Sequence, residues 1–157
     1  MASLLVPFDG KSAGAYALDI ACASAARDGD EVRIVFVVRI PYQLPISADL
    51  AAERAHAELV FARAQAMADC HGVCLDTVLA TARDVGPAIV EAARGCDCIV
   101  IGKRRKRKFL ARFVLDRTLR FIMAHASCQV LVAYMPDANQ DATATQQFLL
   151  TPVGFGK

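Results

Sequence analysis

Short β-branched runs alternate along this chain with longer alanine-rich segments of helical period, and this alternation constrains the possible folds more than any other feature. Apolar or alternating runs predict strands at 4–6, 32–38, 74–80, 98–101 and 130–132. Periodic segments between them predict helices at about 12–27, 48–70 and 87–95, and from about 113 onward. This order predicts an α/β domain with a doubly wound, five-stranded parallel sheet and right-handed crossovers.

The helical periods also predict which side chains are buried. In the second helix, the apolar residues that step by three and four positions are Ala52, Ala55, Leu59, Ala62 and Ala66. In the fourth helix, the residues expected to face inward are Leu115, Leu119, Ile122 and Ala126.

Ligands of doubly wound sheets bind at the carboxyl ends of strands where the winding reverses. The places expected to carry a site are therefore Asp9-Gly10 and the chain from Gly102 onward.

The length of 157 residues is that of one ordinary domain. We assign the domain to residues 1–135 and treat 136–157, polar at first and apolar again at Phe148-Leu149-Leu150, as a C-terminal extension. No apolar run approaches the length of a membrane span, and the first residues carry no basic leader. The sequence therefore predicts a cytoplasmic protein without a membrane span.

Six cysteines raise the alternatives of disulfides, a metal site and buried thiols: Cys22, Cys70, Cys74, Cys96, Cys98 and Cys128. Most of them lie in apolar segments of a chain predicted to be cytoplasmic, which favours reduced, buried thiols. A zinc site is disfavoured because three residues separate Cys70 from Cys74, which is an imperfect spacing for zinc ligands. We expect no metal.

Three segments, in order and at the right separations, resemble the universal stress proteins. The opening Leu4-Leu5-Val6-Pro7-Phe8-Asp9-Gly10 is similar to their first strand and its Pro-x-Asp-Gly end. The segment from Asp84 to Gly102 resembles their third helix and fourth strand. His125-Ala126-Ser127-Cys128-Gln129-Val130-Leu131-Val132 resembles their closing His-Ala-Pro-Cys-Pro-Val-Leu-Val. The resemblance implies an adenine nucleotide alpha-hydrolase-like fold with strand order 3-2-1-4-5.

The resemblance also implies a nucleotide site, but one with an altered phosphate loop. In nucleotide-binding members the fourth strand leads into Gly-x2-Gly-x9-Gly-Ser/Thr, whose glycines let backbone N–H groups approach phosphates. Here Gly102 matches the first glycine, Arg105 stands at the second, and Leu115-Asp116 or Asp116-Arg117 stands at the final pair. An acid at that helix start repels phosphate, so the sequence predicts weak or absent ATP binding.

The adenine side of the same site has the expected residues. On the resemblance, Asp9 and the backbone around Val37 and Val38 correspond to the contacts with the base. An adenine pocket without a phosphate cradle is thus one possible state of this site, with no cofactor expected under ordinary conditions and ATP or another adenine nucleotide as the alternative.

The most unusual segment is a run of like charges directly after the fourth strand: Lys103, Arg104, Arg105, Lys106, Arg107 and Lys108. Between Lys103 and Arg120 lie nine of the chain's 18 lysines and arginines and a single acid, Asp116. The run is either a solvated loop or an anion site whose partner is a nucleotide, a nucleic acid backbone or an anionic membrane surface. Asp116 is expected to pair along its helix with Arg112 and Arg120.

The sequence therefore predicts a regulatory or adaptor domain, not an enzyme, since no catalytic triad, Walker loop or metal triad is present. The alternative is a polyanion- or nucleotide-binding module that acts through residues 103–108. The last strand, 129–134, is an apolar edge that we expect to pair with a second copy in a homodimer. Gln129 stands where the family has a proline, and we expect its N–H to join that pairing.

Overall fold

The fold is seen in a computed structural model that describes residues 1–45, 50–104 and 116–136. Its strands are β1 (Ser3–Pro7), β2 (Glu31–Arg39), β3 (Leu75–Ala82), β4 (Cys98–Arg104) and β5 (Gln129–Met135). Its helices are α1 (Ser12–Asp28), α2 (Ala51–Asp69), α3 (Val85–Ala92) and α4 (Arg117–His125). All strand pairs are parallel and their order is β3-β2-β1-β4-β5, which confirms the predicted fold class and strand order.

Helices cover both faces of the sheet, which explains why its central strands are apolar without interruption. Val6 of β1 and Ile34 of β2 belong to the cluster formed with α1 and α2. Their neighbours Leu5 and Val35 point the other way, into the cluster formed with α3 and α4. The winding direction reverses between β1 and β4, so a crevice opens at the carboxyl ends of these two strands.

The buried stripe of α2 differs from the predicted one. All five residues predicted to face inward are exposed, and Leu59 exposes 71% of its surface. The buried residues are Ala57, Val60, Ala64 and Ala68. An alanine-rich helix offers several small apolar stripes, and the stripe of α2 that faces the sheet is the one that also carries Val60.

Among the described residues, no helix combines the length and apolarity needed to cross a membrane.

The predicted start of the fourth helix was also wrong. We expected it at about Phe113, which lies outside the described residues, but Asp116 has an extended ψ of 138° and caps a helix that begins at Arg117. Leu119 and Ile122 are buried as expected, and Ala126, the extended C-cap residue, is partly buried and packs against the same cluster. Leu115 falls outside the described part of the chain.

The six thiols are free, but not all are buried as the sequence led us to expect. Cys22 and Cys96 are buried, Cys98 and Cys128 are partly exposed, and Cys70 and Cys74 are exposed around the turn that follows α2. The helix that carries Cys70 ends there, so the chain leaves the core between the two cysteines. Burial, with a smaller effect of the Asp19 carboxylate, raises the pKa of Cys22 to about 11.

We expect the native protein to be alkylated by iodoacetamide at Cys70 and Cys74 and to be protected at Cys22. The thiolate is the reactive species, and at about pH 8 the Cys22 thiol is both inaccessible and protonated. Mass spectrometry of tryptic peptides after timed alkylation measures this difference, with the denatured protein as the control in which all six thiols react. Labelling of Cys22 at the rate of Cys70 would contradict the described packing of α1.

Candidate functional site

The crevice at the carboxyl ends of β1 and β4 is a cleft with a volume of about 770 Å³. The turn after β1, the start of α1, the ends of β2 and β4 and the starts of α3 and α4 form its walls. Its apolar lining comes from the strands, through residues such as Val35 and Ile101, and from α3 and α4, through residues such as Ile89 and Leu119. The polar and charged side chains at its mouth are Asp9, Lys11, Ser12, Lys103, Arg104 and Asp116.

The turn from β1 into α1 places Asp9 at the mouth of the cleft. Its Oδ1 accepts a hydrogen bond from the Lys11 backbone N–H at 3.0 Å, and its Oδ2 lies 3.5 Å from Lys11 Nζ. Gly10 has a φ of 77°, and its carbonyl accepts a hydrogen bond from Arg63 at 2.8 Å. The carboxylate is held in one orientation by its own turn and remains open to solvent.

Gly102 lies where the end of β4 meets the first turn of α1. A Cβ at this position would overlap the Ala13 carbonyl and come within 3.1 Å of the Gly14 nitrogen. Gly14 has more room, since a Cβ there would make a tight contact at 3.3 Å with the side chains of Phe8 and Asp9. Gly102 is therefore required by the approach of two backbones, whether or not a phosphate binds beside it.

Arg104, at the end of β4, reaches across to the start of α1. Its Nη2 and Nε donate to Ser12 Oγ at 2.9 and 3.2 Å. Because the acceptor is a neutral hydroxyl, the bond orients the guanidinium and leaves its charge uncompensated. The N-cap residue of α1 is Lys11, and Ser12, the first residue of the helix, is the partner of Arg104.

Asp116 closes the opposite side of the mouth. Its Oδ1 accepts from the Thr118 N–H at 2.8 Å, which caps α4, and its Oδ2 accepts from Lys103 Nζ at 2.7 Å. The hydrogen bond from Lys103 holds the pKa of Asp116 below its usual value, against a smaller opposing effect of desolvation. The stabilisation is therefore present above the ordinary carboxyl pKa and is lost as the pH falls through the lowered one.

This geometry corrects the expected pairing of Asp116 along its helix. In the described part of the chain its ion-pair partner is Lys103 and not Arg120, while Arg112 lies outside that part. The sequence does contain a signal for the cap, since Asp116 stands two residues before Thr118 at the start of an apolar period. It contains no signal for the bond to Lys103, because that bond joins residues 13 positions apart through the fold.

The predicted adenine-side residues lie in two different environments. Val37 is half-buried and lines the cleft. The Val38 side chain points away from it and is buried with Ile40 and Leu50. It also borders a second cavity of about 320 Å³ beside His56. Asp9, Val37, Gly102, Lys103 and Arg104 therefore share one cleft, and Val38 adjoins it.

Four further predicted residues, Arg105, Lys106, Arg107 and Lys108, lie outside the described residues. In the ranges 1–45, 50–104 and 116–136, no three His, Cys, Asp or Glu side chains are grouped so as to hold a metal ion.

Replacing Gly102 with Ala is expected to lower the free energy of unfolding by about 1–3 kcal/mol, because the added methyl group displaces the backbone of α1. Urea denaturation without any ligand measures this loss. Gly29 is the control: it has a φ of 74° and open space around it, so Gly29→Ala costs only the conformational strain of about 1–2 kcal/mol and leaves the cleft unchanged. A Gly102→Ala variant as stable as the parent would mean that α1 and β4 do not approach this closely.

Comparison with known proteins adds a family to this geometry. A model of the universal stress protein family matches residues 1–133. Among solved structures, a member of that family from Burkholderia pseudomallei is 26% identical with a TM-score of 0.67, over 87% of this chain and 96% of that one. A universal stress protein from Lactobacillus plantarum is 24% identical with a TM-score of 0.68, over 84% and 97%.

A third solved structure, from Arabidopsis thaliana, contains bound AMP. That family member is 15% identical with a TM-score of 0.63, over 89% of this chain and 95% of its own. No curated protein matches the chain by sequence.

Proposed function

The chain belongs to the universal stress protein family, and we propose that it is a regulatory or adaptor domain whose cleft does not hold ATP in the manner of nucleotide-binding members. The resemblance seen in the sequence is confirmed at the level of the family and the fold. The observation that carries the proposal is the Asp116 carboxylate, which occupies the N-terminus of α4 and binds Lys103.

A helix N-terminus attracts anions because its first N–H groups lack partners inside the helix. At α4 this position already holds a negative charge, since the Asp116 carboxylate accepts from the Thr118 N–H. A triphosphate placed there has to displace the carboxylate or lie beside it. Either arrangement loses the favourable interaction with the helix, and the second adds repulsion between like charges.

The cation nearest to Asp116 is not available to a phosphate. Lys103 Nζ lies 2.7 Å from the carboxylate, and 26% of the Lys103 side chain is exposed. A phosphate that recruits Lys103 has to break this pair and leave Asp116 with an unmatched charge. These two effects favour a domain that acts through contacts with other molecules over one that binds or hydrolyses ATP.

We expect calorimetry at physiological salt to show no binding of ATP with Mg²⁺ to the unaltered protein, and a phosphate-release assay to show no hydrolysis. Asp116→Ser keeps a residue able to cap α4, removes the negative charge and frees Lys103, so it is expected to bind ATP more tightly. Asp28→Ser, at the far end of α1, makes the same change in charge and is expected to have no effect. Micromolar, Mg²⁺-dependent binding of ATP by the unaltered protein overturns the proposal.

A second candidate function is the binding of an adenine monophosphate. The cleft of about 770 Å³ and the uncompensated charge of Arg104 at its mouth favour it, and the Arabidopsis relative was crystallised with AMP. A monophosphate beside Arg104 does not need the N-terminus of α4. The same calorimetry separates the two candidates: binding of AMP without binding of ATP supports this one.

The proposal includes a homodimer formed through β5. This strand is an edge of the sheet, and its Leu131 and Tyr134 expose 49% and 50% of their surfaces. The N–H of Gln129 does not contribute as we expected, because it donates to the Asp97 carbonyl within the chain at 3.1 Å. The exposed apolar surface of the edge supports the pairing. The expected cytoplasmic location stays a prediction.

Light scattering at micromolar concentration is expected to give the mass of a dimer. Leu131→Lys places a charge in the paired edge and is expected to give a monomer. Leu79→Lys is the matched control, since Leu79 lies on β3 at the other edge of the sheet and exposes 41% of its surface. Dissociation by Leu79→Lys and not by Leu131→Lys would place the interface at β3.

A further inference from the structure

The arginines at the two ends of the sheet have different kinds of partners. At the amino ends of the strands, guanidinium groups are paired with carboxylates at 2.6–2.9 Å. These pairs are Arg27 with Asp28, Arg33 with Asp76, and Arg94 with Glu91. Each of these three guanidinium groups is therefore matched by a carboxylate.

At the carboxyl ends of the strands the guanidinium groups bind neutral oxygens instead. These bonds are Arg39 to the Arg83 carbonyl at 3.3 Å, Arg83 to the Pro41 and Leu44 carbonyls at 3.3 and 3.1 Å, and Arg104 to Ser12 at 2.9 Å. Arg117, the first residue of α4, is exposed and has no ion-pair partner among the described residues. Neutral acceptors orient these side chains without cancelling their charge.

The described acids at this end of the sheet differ in their partners. Asp9 and Asp116 lie beside Lys11 and Lys103, whereas Asp84 accepts a hydrogen bond from the neutral Tyr42 hydroxyl at 2.9 Å and keeps its charge. Besides Arg63, which donates to the Gly10 carbonyl at 2.8 Å, four guanidinium groups at this end have no ion-pair partner among the described residues: Arg39, Arg83, Arg104 and Arg117. Their positive charges, together with the N–H groups that these bonds leave free, suit a chain of phosphates.

Tyr42 adds an aromatic ring to the same surface. It exposes 62% of its surface, and Arg83 lies over one face of its ring at 5.4 Å from the centroid. The hydrogen bond to Asp84 raises the pKa of Tyr42, and the charges of Arg117 and Arg39 oppose that rise. Arg117 begins α4, so it lies at the same carboxyl end of the sheet as the loop after β2 that carries Tyr42. An exposed ring beside cations is a stacking platform for a base.

We propose that Arg39, Tyr42, Arg83, Arg104 and Arg117, here called the arginine strip, bind single-stranded nucleic acid, with the phosphates on the guanidinium groups and a base on Tyr42. A single strand is favoured over a duplex because a ring can stack only on an unpaired base. An anionic membrane is the alternative occupant, since it attracts these charges and can hold a tyrosine ring at its interface, and binding to vesicles is one outcome of the test. The inference goes beyond the proposed function, and it shares one residue, Arg104, with the second candidate for the cleft.

The test uses the full chain and a fluorescently labelled oligothymidylate of about 20 nucleotides, long enough to cover one domain. Anisotropy titrations are made over a series of salt concentrations. Binding is expected to weaken with salt, and Arg117→Gln is expected to reduce the slope of log K against log salt by about 0.7, the share of one phosphate contact on a single strand. The matched control is Arg94→Gln, which removes one charge at the opposite end of the sheet and is expected to leave the slope unchanged.

The stacking arm replaces Tyr42. Tyr42→Leu is expected to weaken binding about tenfold or more, whereas Tyr42→Phe keeps the ring, loses the bond to Asp84 and is expected to bind nearly as well as the parent. Circular dichroism verifies that each variant is folded. If Tyr42 acts only through its hydroxyl, the leucine and phenylalanine variants lose the same affinity, and the stacking role is overturned.

Two more results decide the proposal. Excess ATP with Mg²⁺ is expected not to displace the oligonucleotide if the cleft does not bind it, so displacement by ATP assigns the binding to the cleft and overturns the strip. Failure to bind the oligonucleotide at low salt, equal effects of Arg94→Gln and Arg117→Gln, or binding to phosphatidylserine vesicles without binding to the oligonucleotide also overturn it. ATP binding without displacement contradicts the proposed function and leaves the strip supported.

Discussion

The contact between the backbone of α1 and the end of β4 determines the geometry of everything at the mouth of the cleft. Because Gly102 has no side chain, the Ala13 carbonyl can lie against it, and the first turn of α1 crosses directly over the strand. That crossing brings Ser12 within 2.9 Å of Arg104 and sets the Asp9 turn at the rim. In a doubly wound fold this is the point where the winding reverses, so close packing here and a ligand crevice arise together.

The same contact changes what the surviving glycine of the family motif means. A glycine after the fourth strand is usually taken as a sign of phosphate binding, since it lets backbone N–H groups approach the ligand. At Gly102 the approach of another part of the chain is a sufficient reason for glycine. Gly102 by itself therefore does not indicate that a phosphate binds. The informative residues lie on the far side of the cleft, where Asp116 and Lys103 neutralise each other.

The sequence was sufficient for the strand order, because alternating strands and helices leave few ways to wind a parallel sheet. It was insufficient where several local choices had similar energies. The stripe of α2 that carries Val60 and the stripe that carries Leu59 are both apolar, and only packing against the sheet selects between them. Contacts between residues distant in sequence could not be predicted either. The bond of Lys103 to Asp116 and that of the Gln129 N–H to the Asp97 carbonyl form only once the strands are in register.

Positive charge is concentrated at the carboxyl end of the sheet, where it lowers the stability of the fold. Parallel strands feed helices that start at the carboxyl end of the sheet, so the positive ends of the helix dipoles gather there. Acids stand at three of the four helix starts, Glu53 in the first turn of α2, Asp84 at the N-cap of α3 and Asp116 at the N-cap of α4, whereas the first turn of α1 has none. Adding uncompensated arginines at this end opposes folding, whereas pairing them with carboxylates, as at the other end, removes the repulsion. These arginines lower the stability of the free protein and leave oriented donors at its surface. A bound polyanion removes the repulsion between them, so its binding offsets the loss of stability.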